Sequence, residues 1–154
     1  MKNDKKVFTA NRKAFHDYEI LEKVEAGIVL SGFEVKSVKR SNVSLADSIV
    51  RFSSGEAYAD NMFIAPYERI STHISDYDAK RKRKLLMHKS EIAKLSARAK
   101  EKGLTAIPLE VYLSPKGKIK VLIGLGKGRK SYDKREVIKK KDLDREMSRE
   151  RFSR

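Results

Sequence analysis

Residues 105–125 constrain the fold more than any other stretch. Thr105 to Leu113 alternates and is rich in β-formers. Ser114-Pro115-Lys116-Gly117 reads as a turn, and Lys118 to Leu125 returns as a strand. On the return strand Ile119, Val121 and Ile123 fall on one side, and Lys118 and Lys120 on the other. A period of two on both sides of a Pro-Gly reversal predicts a β-hairpin with one face in a core and one in water.

Other segments repeat that signal. Tyr18, Ile20 and Val24 share a register with Glu22, which predicts a strand ending at Gly27. Residues 48–52 read as a strand, Ser53-Ser54-Gly55 as a tight turn, and Glu56 to Ile64 as a second strand stopped by Pro66. Ile28, Leu30, Phe33, Val35 and Val38 follow helical spacing, so a helix is expected over roughly 28–40. A second apolar stripe, Leu85, Leu86, Ile92, Leu95 and Ala99, also has helical spacing. Ser90 is its expected cap and Gly103 its C′ residue. Residues 67–79 read as a loop, and no internal repeat is visible.

Charge sets the class of partner. The chain has 36 Lys and Arg against 21 Asp and Glu, a net +15 over 154 residues. Such an excess favours a polyanion, because each neutralised phosphate releases condensed counterions. A basic amphipathic helix for an anionic membrane surface is not found. Nor does any stretch approach the ~20 apolar residues of a spanning helix. The N-terminus lacks the apolar region of a secretory signal, so a soluble, cytoplasmic protein is expected. The chain has no Cys, and His16, His73 and His88 lack ligand spacing, so neither a metal site nor any cofactor is expected. The expected division is a loose basic N-terminal arm at 1–14, a body at 15–126 and a basic tail at 127–154. The tail holds 12 Lys or Arg against 6 Asp or Glu. Its thin stripe of Val137, Ile138, Leu143 and Met147 predicts disorder when free and a helix when bound.

Three cationic regions are candidates for phosphate contact: Lys80 to Lys84, the outward lysines of the last hairpin, and the tail. A solvated surface is the ordinary fate of such runs, and cations in the last turn of the 28–40 helix also suit its dipole. The global excess favours nucleic acid. A mainly β chain with basic faces suits an OB-type closed barrel with flanking helices. One pattern points elsewhere. Glu34-Val35-Lys36 has the Glu-x-Lys form of some metal-dependent nucleases, with Asp17 as a possible second ligand. A helix under it fits poorly, so no catalytic residue is assigned.

Several segments together resemble one family. They are Asn11-Arg12-Lys13-Ala14-Phe15-His16-Asp17-Tyr18, Glu25-Ala26-Gly27-Ile28 and Gly32-Phe33-Glu34-Val35-Lys36-Ser37. Asn61 to Tyr67, Arg81-Lys82-Arg83-Lys84-Leu85-Leu86, Lys102-Gly103-Leu104-Thr105 and Lys127 to Arg135 follow in order. Over residues 11–140 the chain resembles the bacterial tmRNA-binding family, also called SsrA-binding protein or small protein B. The resemblance implies an OB-fold barrel with flanking helices and an unstructured basic C-terminal tail. It implies a non-enzymatic adaptor, one per tmRNA, that binds the tRNA-like domain and delivers it to ribosomes stalled on messages without a stop codon.

By the same resemblance Glu34, Leu95 and Lys120 match positions implicated in gripping tmRNA, Leu95 through an indirect role. Arg12, Lys13, His16, Lys36, Arg81, Arg83, Lys84 and Lys118 complete the expected RNA-binding set. Lys127, Gly128, Arg129, Lys130, Tyr132, Asp133, Lys134 and Arg135 match the junction and tail motif that would enter the decoding centre and the empty mRNA channel of the small subunit. Tyr132 is a candidate for stacking on a base. Two departures stand out: Ala79 where Pro is common, and Ser41 where Gly is common. The rival expectation is a generic basic ribosome-associated RNA-binding protein.

Overall fold

A computed structural model describes residues 5–67 and 77–129, with Leu143 and Arg145 farther along. The chain runs β1 (Lys6–Ala10), α1 (Arg12–Asp17), β2 (Tyr18–Ile28), α2 (Gly32–Lys39), β3 (Val43–Ser44), β4 (Ile49–Ser53), β5 (Glu56–Asp60) and β6 (Phe63–Ile64). It continues with β7 (Arg83–Leu86), α3 (Lys89–Lys102), β8 (Thr105–Leu113) and β9 (Ile119–Gly128). The protein is mainly β, with three described helices.

The predicted hairpin is the spine of the sheet. β8 and β9 pair from Thr105 with Gly126 to Leu113 with Ile119. Gly117 closes the turn at φ +79, its N–H donating to the Ser114 carbonyl at 2.9 Å. Val121 and Ile123 are buried, while Lys118 is exposed, as the alternation requires. β9 also pairs along nearly all of β2. Strands β8, β4, β5, β7, β2 and β9 follow one another by antiparallel pairing, and β9 returns to β8, so the six close into a ring with β1 added outside β8.

The core fills the inside of this ring. Ala57, Ala59, Leu85, Val121 and Ile123 meet Ile92 and Leu95 of α3 in the main cluster. A smaller cluster of Ala14, Ile107 and Leu109 lies under α1, with Tyr18, Ile20 and Leu122 packed against it. Gly124 belongs to that second contact. A Cβ there would stand 2.7 Å from Leu109 Cδ1 and 3.1 Å from Ile20 Cγ2. Leu109 is fully buried and has no room to retreat. Gly124→Ala is therefore expected to destabilise the fold by about 1–3 kcal/mol through overpacking, read as a lower urea midpoint with unchanged slope.

Several expectations need correction. The described part of the N-terminal arm is not loose: Lys6 to Ala10 pairs with Glu110 to Leu113, and Phe8 joins the core. β2 runs past Gly27 to Ile28, so the helix expected from 28 starts only at Gly32. Ser31 and Glu34 form a capping box that sets this start. The strand expected over 56–64 breaks at Asn61, which is left-handed at φ +58. That residue puts Met62 inward and starts β6, which pairs with β3, a strand the periodicity did not reveal. Leu85 and Leu86 lie on β7, not on the helix, and His88 rather than Ser90 is the N-cap of α3. Gly103 does end α3, at φ +62. The body extends beyond 126: β9 continues to Gly128, and the Arg129 N–H donates to the Asp17 carbonyl at 2.9 Å.

Candidate nucleic-acid interface

The expected RNA-binding residues divide into two groups, placed by the β2–β9 ladder. Tyr18 pairs with Gly128 at one end, and Gly27 with Lys120 at the other. Nine residue steps of strand separate them, about 30 Å. At the first end sit Arg12, Lys13 and His16 of α1, with Lys127, Gly128 and Arg129. Arg12 and Lys13 are exposed, and Lys13 Nζ lies 3.1 Å from Asp47. His16 Nδ1 lies 3.0 Å from Asp17 Oδ1. Lys130, Tyr132, Asp133, Lys134 and Arg135 lie outside the described residues.

At the second end α2 meets the mouth of the last hairpin. A cleft of about 360 Å³ has Gly27, Ile28, Leu30, Val35 and Leu86 as its apolar floor and Lys39, Lys118 and Lys120 around it. Lys36, Lys39 and Arg40 are exposed on the last turn of α2. Among the described residues, none of the ion pairs involves these three or Lys118 and Lys120. Uncompensated cations over an apolar floor suit a polyanion that also offers flat apolar surface, as an RNA strand does. Lys120→Glu replaces one attractive charge by a repulsive one. It is expected to weaken RNA binding at least tenfold at moderate salt, by fluorescence anisotropy, with the melting temperature unchanged.

Behind this face lies a buried ion cluster, and it changes the reading of Glu34, Arg81 and Arg83. Glu34 and Arg83 are both fully buried. The Glu34 carboxylate accepts from Arg83 Nε at 2.9 Å, from Arg81 Nε at 3.2 Å and from the Ser31 N–H at 3.0 Å. Both guanidiniums also reach it through Nη2. Tyr77 Oη lies 3.0 Å from Glu34 Oε2 and 3.0 Å from the Ile64 carbonyl, and accepts from Arg83 Nη2 at 2.9 Å. Arg83 Nη1 donates to the Met62 carbonyl. Burial pushes the Glu34 carboxyl up. Hydrogen bonds from Arg81, Ser31 and Arg83, with the charge of Arg83, outweigh burial and hold it down at about 2. Burial and the hydrogen bond to Glu34 push the Tyr77 hydroxyl up to about 12.

Glu34 and Arg83 therefore face each other and not a ligand in this conformation. Arg81 is half-buried and shares the same carboxylate. Of the cationic run, Lys82 and Lys84 point out, with Lys82 Nζ 4.3 Å from the Tyr58 ring centroid and Lys84 3.6 Å from Glu56. Leu95 is buried in the main core, so any effect on RNA is indirect. The nuclease arrangement does not assemble. Asp17 and α2 lie at opposite ends of the ladder, and the Glu34 oxygens are occupied by guanidiniums. Among the described residues no group of three or more acidic or His side chains is placed to hold a metal. No described helix is long and apolar enough to cross a membrane.

Sequence reading passed over Arg40 and Tyr67 as site residues. The Tyr67 ring gathers Lys36 Nζ at 5.4 Å and Arg40 Cζ at 4.8 Å from its centroid. The spacing of Lys36 and Arg40, four residues apart on a helix, was the available signal.

Known proteins share this architecture and sequence. Residues 8–153 match the family described as SmpB protein. An SsrA-binding protein of Coprothermobacter proteolyticus is 56% identical over 94% of this chain and 96% of its own length. One from Thermus thermophilus is 48% identical over 89% of this chain and 94% of its own. A chain from a solved structure described as tmRNA-SmpB at the centre of the bacterial ribosome superposes with a TM-score of 0.66 at 49% identity, covering 80% of this chain and 85% of that one. This chain belongs to the SmpB family of SsrA-binding proteins.

Proposed function

We propose that the protein is a cytoplasmic, non-enzymatic adaptor for trans-translation. Its body grips the tRNA-like domain of tmRNA, one copy per RNA, while its tail enters the empty mRNA channel of a stalled ribosome. Family membership supports the partner. The observation that carries the mechanism is the separation of the two cationic ends. Lys39, Lys118 and Lys120 surround a cleft at one end of the β2–β9 ladder. The chain leaves the body toward residues 130–154 at the other, next to α1. An RNA held at the cleft leaves the end beside α1 free for another partner. The ring of six strands is read as an OB-type barrel, a scaffold that suits such duty.

Binding rests on phosphates and shape more than on base edges, since a folded tRNA mimic offers chiefly backbone and 2′-hydroxyls. The affinity should fall steeply with salt. The deciding experiment is competition. Labelled tRNA-like domain of tmRNA is bound to the full-length protein at physiological salt against unlabelled bulk RNA. Retention of the tmRNA fragment at a hundredfold mass excess of competitor is expected. Equal displacement by random transcripts would reduce the protein to a generic basic RNA binder.

A further inference from the structure

The end of α2 is built to bring one aromatic ring against two cations. Arg40 caps the helix, and Ser41 turns left-handed at φ +63. That reversal returns the Asn42 N–H to the Ser37 carbonyl at 3.0 Å, and the Asn42 carbonyl accepts from the Ala65 N–H at 3.0 Å. Pro66, whose ring fixes its own φ, follows directly. Tyr67 is thus held against the last turn of α2 by backbone constraints. Lys36 and Arg40, one turn apart, both come within the ~6 Å range over which a cation is drawn to an aromatic ring.

The helix dipole explains why cations sit at this terminus. It does not explain why two of them converge on one half-buried ring. Like charges that each lie within about 5 Å of a common point repel, and solvent screens them only partly over a distance near the ~8 Å Debye length. Among the described residues neither takes part in an ion pair with a carboxylate. The missing partner is an anion. Lys39, on the other side of the same turn, is turned to the cleft with Lys118 and Lys120. The last turn of α2 therefore presents cations in two directions.

Resting on the RNA-binding reading above, we propose that Lys36, Arg40 and Tyr67 form a second phosphate-binding site for the RNA backbone, adjoining the cleft. Lys36 and Arg40 make the contacts. Tyr67 is the positioning residue that holds both charges in place before RNA arrives and so lowers the ordering cost of two long side chains.

The test uses the full-length protein and the tRNA-like domain of tmRNA, titrated by anisotropy across a series of KCl concentrations. Lys36→Gln and Arg40→Gln should each weaken binding several-fold and reduce the slope of log K against log salt by about 0.7–0.9. Tyr67→Phe keeps the ring and should bind as the native protein does. Tyr67→Leu should weaken binding about three- to tenfold in the native background and have no further effect in the Lys36→Gln/Arg40→Gln double variant. A merely structural Tyr67 would give the same loss in both backgrounds, and that result overturns the positioning role. Native affinity and salt slope in both Gln variants, while Lys120→Glu still weakens binding, would overturn this site and leave the adaptor reading intact. Loss of tmRNA preference by the native protein would sink that reading itself.

Discussion

Glu34→Ala is expected to destabilise the protein by about 3–5 kcal/mol, the largest effect of any single replacement around α2. The change leaves Arg83, fully buried, without the carboxylate its guanidinium grips. The depressed carboxyl of Glu34 points in the same direction. A carboxyl held at about 2 against an ordinary 4.5 contributes about 3 kcal/mol when ionised. The sign follows from the depressed folded value. The contribution is complete above about 4.5 and is lost as pH falls from there toward 2. Urea unfolding of the native protein and Glu34→Gln at pH 6 should differ widely in midpoint. The gap should narrow below pH 4.5. Equal midpoints at pH 6, or a gap that does not change with pH, would show that the cluster does not stabilise the fold. Replacing the pair together, Glu34→Leu with Arg83→Met, should recover much of the loss, since a buried pair exchanged for apolar volume is often neutral. Tyr77 and Arg81 join α2 to the chain near β7 through the same carboxylate. RNA binding in a folded Glu34 variant should therefore weaken through displacement of α2.

Truncation after Arg129 should separate the two activities proposed for the protein. Affinity for the tRNA-like domain at moderate salt should stay within about threefold of the native value, because the cleft and the end of α2 are intact. Tagging of a protein stalled on a message without a stop codon should fall below about 1% of the native level, because nothing is left to occupy the vacant channel. The removed segment carries 10 Lys or Arg against 6 Asp or Glu, so a small loss of nonspecific affinity and of salt slope is expected. Reconstituted translation with the truncated protein, tmRNA and a truncated message reads the tagging directly. Normal tagging there would refute the tail mechanism and leave the RNA-binding body as the adaptor. Full loss of tmRNA binding would instead place the grip in the tail.

The local pattern was enough for the parts whose structure depends on near neighbours. The 105–125 hairpin followed from alternation on both sides of Pro115 and Gly117: Val121 and Ile123 of β9 are buried, while Lys120 is half-exposed and Lys118, just before the strand, is exposed. Gly103 ended α3 because a left-handed cap needs a residue without a Cβ penalty. The two-residue pairing of β3 with β6 was invisible, since two residues carry no period. The break at Asn61 was hidden for a related reason: one left-handed residue inverts the alternation after it, and the inverted stretch still reads as a strand. Residues 1–14 read as a loose basic arm, and Lys6 to Ala10 forms a strand within it by pairing with β8.

The cationic run shows where sequence stops. Arg81, Lys82, Arg83 and Lys84 are chemically alike in sequence, and the net charge of +15 over the whole chain is what pointed to a polyanionic partner. Only the folded protein decided that Arg83 serves the interior. Its partner, Glu34, lies 49 residues earlier, and no local period encodes a distance that long. Net charge and hydropathy period are sums over neighbouring residues, so the linear chain determines them. Which charge is buried depends on which distant strand and helix close around it, and tertiary packing alone determines that.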